Sequence, residues 1–362
     1  MSGFKEKITT YENNNYFKTI DLTDYHFKNG NLVSDDKNYE MSELARNMFL
    51  ERVGLRCPSM LEKAFSTEKL ANLSESLINA LLKSESNIYA KAFVNDDNTM
   101  LALHSKNYVP LEFSSLIEVF EGSLKNEYSG VKFAKGILEE EYMAADYVIS
   151  DDNVCQPYRE LFGNGGEFYE SHLVARLTSS NLGLSGANIY PMFCYRTSEH
   201  AKEMTIPVYG KVTLKHEGDA SLEKFKDNCN YLFNLVATTP EELKKLESIK
   251  IKYPTHCLIN IADKVGITAK QITPVAETVS YLLTGYNTTA KDLYVYLSTV
   301  IEKSNNDKER LEITEKVAKA IRILSKAVSE VDIPKIKWKR LNVVCDEEQD
   351  FIPEQYQEKL AV

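Results

Sequence analysis

The chain has 362 residues, 43% hydrophobic and 27% charged, an ordinary globular composition with enough apolar material for a sizeable core. The formal charge of −10 argues against a protein coated all over in nucleic acid, while leaving room for a local basic groove. The opening MSGFKEKITTYENNN has no apolar leader core, and no window of about eighteen uncharged apolar residues follows, so a cytoplasmic chain without a membrane span is expected.

Residues 1–40 are polar and Asn-rich, with no long period, and read as a loosely packed arm. Residues 41–218 read as an α+β domain with an antiparallel sheet. In MSELARNMFLERVGLRCPSMLEKAF, Leu44, Met48 and Val53 fall at helical spacing, and Pro58 restarts a second helix. STEKLANLSESLINALLKSE sets an apolar stripe of Leu70, Leu73, Leu77 and Leu81 behind Ser66 as N-cap. NIYAKAFV and TMLALHSKNYVPL flank a polar turn and predict a hairpin. SSLIEVFEGSL predicts a short helix capped by Ser114. YSGVKFAKGIL and EYMAADYVIS read as strands around an acidic run, and FGNGGEF as a loop. YESHLVARLTSS, GANIYPMFCYR and TIPVYGKVTLKHEG complete the strands.

From residue 219 to 330 the period becomes helical. One helix starts at Asp219, and Thr239-Pro240 opens a separate one. Four more helices follow, up to DKERLEITEKVAKAIRILSKAVSEV. Residues 331–362 read as a basic strand, KIKWKRLNVV, and an acidic tail. Strands followed by helices indicate an α+β fold: an antiparallel sheet core, N-terminal helices and a helical C-terminal half.

Catalytic signals are missing from the linear sequence. Ser185 lies in GLSGA, but a strand follows it, where a nucleophile elbow needs a helix; a turn is the simpler reading. No glycine loop is followed by Lys-Ser/Thr at a helix start. His26, His104, His172, His200, His216 and His256 have no metal-ligand spacing and read as structural. Cys57, Cys155, Cys194, Cys229, Cys257 and Cys345 are scattered and unpatterned, as expected of reduced thiols. Asp96-Asp97 and Asp151-Asp152 read as solvated turn residues. No catalytic residue, metal or cofactor is therefore expected.

Several segments resemble one family. LERVGLRCPSMLEKAF, the hairpin ending in a Ser-x-x-Tyr-x-Pro pattern at Ser105–Pro110, RLTSSNLGLSGANIYP, KHEG and TTAKDLYVYLSTVIEK are similar to the phage/plasmid-like family known as domain of unknown function 932. The similarity spans roughly Met41 to Leu324. Lys91 stands where many members have arginine, and Cys194-Tyr195-Arg196 replaces a Cys-x-Asn-Gly pattern. The resemblance implies a mobile-element origin, in a phage or plasmid of a bacterial host.

That origin and the missing enzyme motifs suggest a non-enzymatic single-strand DNA or RNA binding or annealing protein, working as a homo-oligomer. Its expected contacts are Lys91, Arg176, Arg196, Lys211, Lys215, Lys335, Lys337, Trp338, Lys339 and Arg340. Arg176 and Arg196, at the far ends of two strands, make one positive patch if the hairpin brings them together. The alternative is a protein-interaction module that meets a host protein or assembles in a virion. Sixteen acids against six bases between Glu85 and Glu170 favour that reading.

Overall fold

The structure is a computed structural model that describes residues 1–55, 68–84, 88–140, 142–163, 168–208, 210–283 and 287–336. It is an α+β fold with two sheets and a helical C-terminal half. No described helix is long and apolar enough to cross a membrane.

The N-terminal segment is built into the fold, which corrects the reading of 1–40 as an arm. Ser2–Asn14 forms α1, and Phe4 and Ile8 are its two buried residues. Tyr11 stacks on Phe113 at 5.6 Å. So few anchors leave no visible helical period. Asn15–Asp21 (β1), His26–Lys28 (β2), Asn31–Val33 (β3) and Asn38–Met41 (β4) then enter the first sheet with the hairpin Tyr89–Asn95 (β5) and Thr99–Ser105 (β6). The strand order is β1-β5-β6-β4-β3-β2, and only β4 and β6 run parallel.

Glu43–Arg52 (α2) and Glu68–Ser84 (α3) pack on one face of this sheet. Ser42 caps α2 by accepting from the Ala45 N–H at 3.0 Å. The expected stripe on α3 is shifted by one residue: Leu73 and Leu77 are exposed, while Ser74, Ile78 and Leu82 are buried. Asn79 sets this rotation, because its side chain bonds both the N–H and the carbonyl of Phe27. Pro58 and Ser66 lie outside the described residues.

The second sheet joins Val131–Leu138 (β7), Met143–Ile149 (β8), Glu170–Ser179 (β9), Ala187–Arg196 (β10) and Met204–Pro207 (β11), in the order β11-β10-β9-β8-β7. All its pairings are antiparallel, and Val212–Leu214 (β12) shares an edge of β10 with β11. Alternation gives the sheet two distinct faces. Tyr147, Leu173, Leu177, Ile189 and Phe193 enter the main core. Asp146, His172, Arg176, Tyr190 and Cys194 share the opposite face.

Phe113–Glu127 (α4) and Asp152–Phe162 (α5) cover the core face. Ser114 is not the cap of α4; its N–H donates to the Glu12 carboxylate of α1 at 3.0 Å. A negative group from another helix thus meets the positive end of α4. Asp151 and Asp152 belong to a helix start rather than a turn, with Asp151 accepting from the Asn153 N–H.

Leu222–Lys244 (α6), Pro254–Val265 (α7), Ala269–Leu282 (α8), Ala290–Ser298 (α9) and Asp307–Lys326 (α10) complete the fold. Ser221, not Asp219, caps α6. No break occurs at Thr239; Pro240 lies inside α6. Proline has no N–H for the Val236 carbonyl four residues back. The Tyr158 hydroxyl donates to that carbonyl instead, at 2.6 Å. The expected strand at 335–344 is not formed at Lys335, which sits in a bend, and residues 337–344 lie outside the described residues.

Candidate functional site

The ten expected contact residues do not form one groove among the described residues. Lys91 faces inward and donates to the Tyr108 carbonyl. Arg176 is buried against Asp146, with Nε–Oδ1 at 2.6 Å and Nη2–Oδ2 at 2.7 Å. Arg196 pairs with Glu170, its register partner across the strands. Arg176 lies opposite Tyr190, so six residues of β10 separate the two arginines. At about 3.4 Å per residue that is about 20 Å. They share a face but form no joint patch, and each already has a carboxylate.

Lys215 pairs with Glu217 at 3.5 Å. The Lys335 carbonyl accepts from Asn260 Nδ2 at 3.0 Å. Lys337, Trp338, Lys339 and Arg340 lie outside the described residues. Among the described residues of the ten, Lys211 alone joins a basic groove.

That groove has a volume of about 380 Å³ and runs between the end of α6, the loop before β12 and the second half of α10. Val208, Leu243, Ala318 and Ile321 supply its apolar lining. Lys211, Lys319, Arg322 and Lys326 ring it, against one carboxylate, Glu242. Lys211 is partly neutralised by Glu315 at 3.0 Å. Among the described residues, Lys319, Arg322 and Lys326 have no ion pair and are exposed. Their spacing of three and four residues puts them on one flank of α10. Unpaired cations beside an apolar floor suit a ligand with both phosphate and flat apolar parts.

Compared with family models, curated proteins and solved structures, the chain matches none.

Sequence reading missed Lys319, Arg322 and Lys326. A signal was present: four cations, Lys316, Lys319, Arg322 and Lys326, recur at helical spacing in EKVAKAIRILSK. Their freedom from acidic partners was not legible, because those partners would come from other elements.

Three motif segments meet elsewhere, at the junction of the two sheets. His104, Tyr108 and His216 form a continuous ring stack: His104–Tyr108 centroids are 3.9 Å apart and Tyr108–His216 5.4 Å. His104 Nε2 donates to the Asn181 carbonyl at 2.8 Å, since a carbonyl only accepts. His216 Nδ1 donates to the Val109 carbonyl at 3.2 Å, leaving Nε2 to accept from the Ser179 hydroxyl at 3.0 Å. Burial pushes the His104 pKa down to about 4 and lowers that of His216 as well.

Ser179 and His216 have the pairing of a nucleophile and base, but Ser179 is fully buried and a backbone carbonyl orients the imidazole. The pair locks the junction. Ser185 stays in the turn beside it. Gly183 supplies the turn with a φ of +75°, whereas Gly186 serves close approach: an added Cβ would lie 2.3 Å from the Leu214 carbonyl oxygen.

Proposed function

We propose that the chain binds a single nucleic-acid strand through the groove of Lys211, Lys319, Arg322 and Lys326, without catalysing its cleavage. The observation that carries this reading is the groove itself, with three cations that have no ion pair among the described residues around an apolar floor. The overall charge of −10 then sits elsewhere on the surface and does not oppose a local positive potential.

From Lys319 to Lys326 the helix rises on the order of 10 Å, the length of about three stacked nucleotides. The lysines and arginine neutralise phosphates, and a base lies against Ile321, the partly exposed apolar side chain of the lining. Three free cations give a weak site on one chain. Repetition around a homo-oligomer raises the effective affinity by linking many such sites to one strand. A mobile-element origin, proposed from the sequence motifs alone, accords with a role on replicating or recombining DNA.

Fluorescence anisotropy of a labelled single-stranded oligonucleotide, across a salt series, tests this. Binding should fall with a log–log slope of about −2 for three phosphate contacts. Joint replacement of Lys319, Arg322 and Lys326 by Gln should abolish it. Absence of binding at low salt, or binding unchanged in that variant, overturns the reading.

A further inference from the structure

A second groove, also of about 380 Å³, opens on the outer face of the second sheet, away from the basic one. His172, Cys194 and Glu203 line it together. Their placement follows from register. His172 on β9 and Cys194 on β10 are direct cross-strand partners, and Thr205 of β11 is opposite Cys194 on its other side. Glu203 precedes Thr205 by two residues, which returns its side chain to the same face. One imidazole, one thiol and one carboxylate thus converge, each with a ligand atom within 4.8 Å of the others.

We propose that His172, Cys194 and Glu203 form a three-ligand site for a zinc-class transition metal, its fourth position open to the groove. Thiolate and imidazole select this class, whereas magnesium and calcium prefer oxygen ligands. Three protein ligands with one open position is the pattern of zinc sites that hold water or a substrate.

The geometry needs little adjustment. Tetrahedral zinc, with bonds of about 2.0–2.3 Å, sets ligand atoms about 3.3–3.8 Å apart. His172 Nε2 and Glu203 Oε2 are already 3.5 Å apart. The Glu203 side chain is 40% exposed and has the freedom to close the remaining gap. A metal ion replaces their direct contact with a shared one.

The surroundings provide a supporting shell. The Cys194 Sγ lies 3.8 Å from the Thr205 hydroxyl, which accepts from Arg310 Nη2 at 2.8 Å. Arg310 is in turn held by Glu302 at 3.0 Å. This chain fixes the Thr205 hydroxyl beside the sulfur and so holds the ligand in place. Val148, Val174 and Met192 wall the sulfur with apolar surface. The inference is independent of strand binding in the other groove.

Cobalt(II) titration of the full, reduced chain after chelator treatment tests it, with zinc competition and thermal melting as further readouts. One equivalent of cobalt should bind with a thiolate-to-metal charge-transfer band, and zinc should displace it. Zinc should raise the melting temperature and magnesium should not. Cys194→Ser should remove the band. His172→Gln and Glu203→Gln should each weaken binding by at least about tenfold, the scale on which even outer partners act. Absence of a band in the wild type, or a band that persists in Cys194→Ser, overturns the proposal. Should Cys194→Ser not fold, full affinity in folded His172→Gln and Glu203→Gln overturns it equally.

Discussion

Arg176 and Asp146 face each other across β9 and β8 and join through two parallel hydrogen bonds, 2.6 and 2.7 Å long. Their side chains are only 10% and 13% exposed. Such a pair has one consistent use, mutual neutralisation in a place that water scarcely reaches. Replacing one partner leaves the other charge buried alone. Asp146→Ala should therefore lower unfolding free energy by about 3–5 kcal/mol in urea titration. The double variant Arg176→Met with Asp146→Leu should recover most of that loss. Equal losses in the single and the double variant would contradict this account.

The basic groove predicts a graded response. Arg322→Gln alone should reduce the magnitude of the salt slope for single-stranded oligonucleotide by about 0.7. Arg196→Gln, which removes a cation already paired with Glu170, should leave the slope unchanged. Anisotropy titrations at several salt concentrations separate the two.

Gly183 and Gly186 are required for different reasons. Alanine at 183 would place its Cβ 2.8 Å from His104 Cε1 at a φ of +75°, and alanine at 186 would press on the Leu214 carbonyl. Each should destabilise by about 1–3 kcal/mol. Gly186→Ala should also speed amide hydrogen exchange in β12, which borders the clash. Wild-type exchange in that strand would count against the close-approach role.

Tyr158→Phe should be more damaging than loss of one hydroxyl suggests. It strips the Val236 carbonyl of the donor that replaces the missing Pro240 N–H. A loss of about 1–3 kcal/mol in chemical denaturation is expected. Restoring the backbone donor by Pro240→Ala should offset part of that loss, and an absence of coupling in the double variant would refute the link.

The stacked histidines predict a pH dependence. His104 and His216 have folded pKa values below the unfolded value of about 6.5, because burial disfavours the charged ring. The unfolded chain then binds protons first as pH falls. The stability they contribute is complete above about pH 6.5 and is lost toward the His104 value of about 4. For His104 the full effect is on the order of 3 kcal/mol. Unfolding free energy should fall less steeply between pH 6.5 and 4 in His104→Gln, by about one proton at most in slope. Parallel slopes would show that His104 is not buried neutral.

The sequence by itself determined the α+β class, the hairpin of β5 and β6, the long strands β9 and β10, and most C-terminal helices. Those elements carry period-2 or period-3.6 apolar patterns and local turn or cap residues, which need no partner to be legible. It failed where a partner from elsewhere supplied the missing group. Pro240 reads as a helix break until Tyr158 reaches Val236, and Ser114 reads as a cap until Glu12 arrives from α1. The polar helix α1 gives too weak a pattern to be seen, because Phe4 and Ile8 are its only buried residues.

The tertiary structure alone decided the candidate sites. Whether a lysine or arginine is available depends on the nearest carboxylate, and Asp146 and Glu170 reach their arginines only across strands. His172, Cys194 and Glu203 are distant in sequence with no ligand spacing, yet antiparallel register brings them to one face. Charge neutralisation and ligand convergence are properties of distances in space, and one-dimensional spacing records only those that fall within one helix or strand.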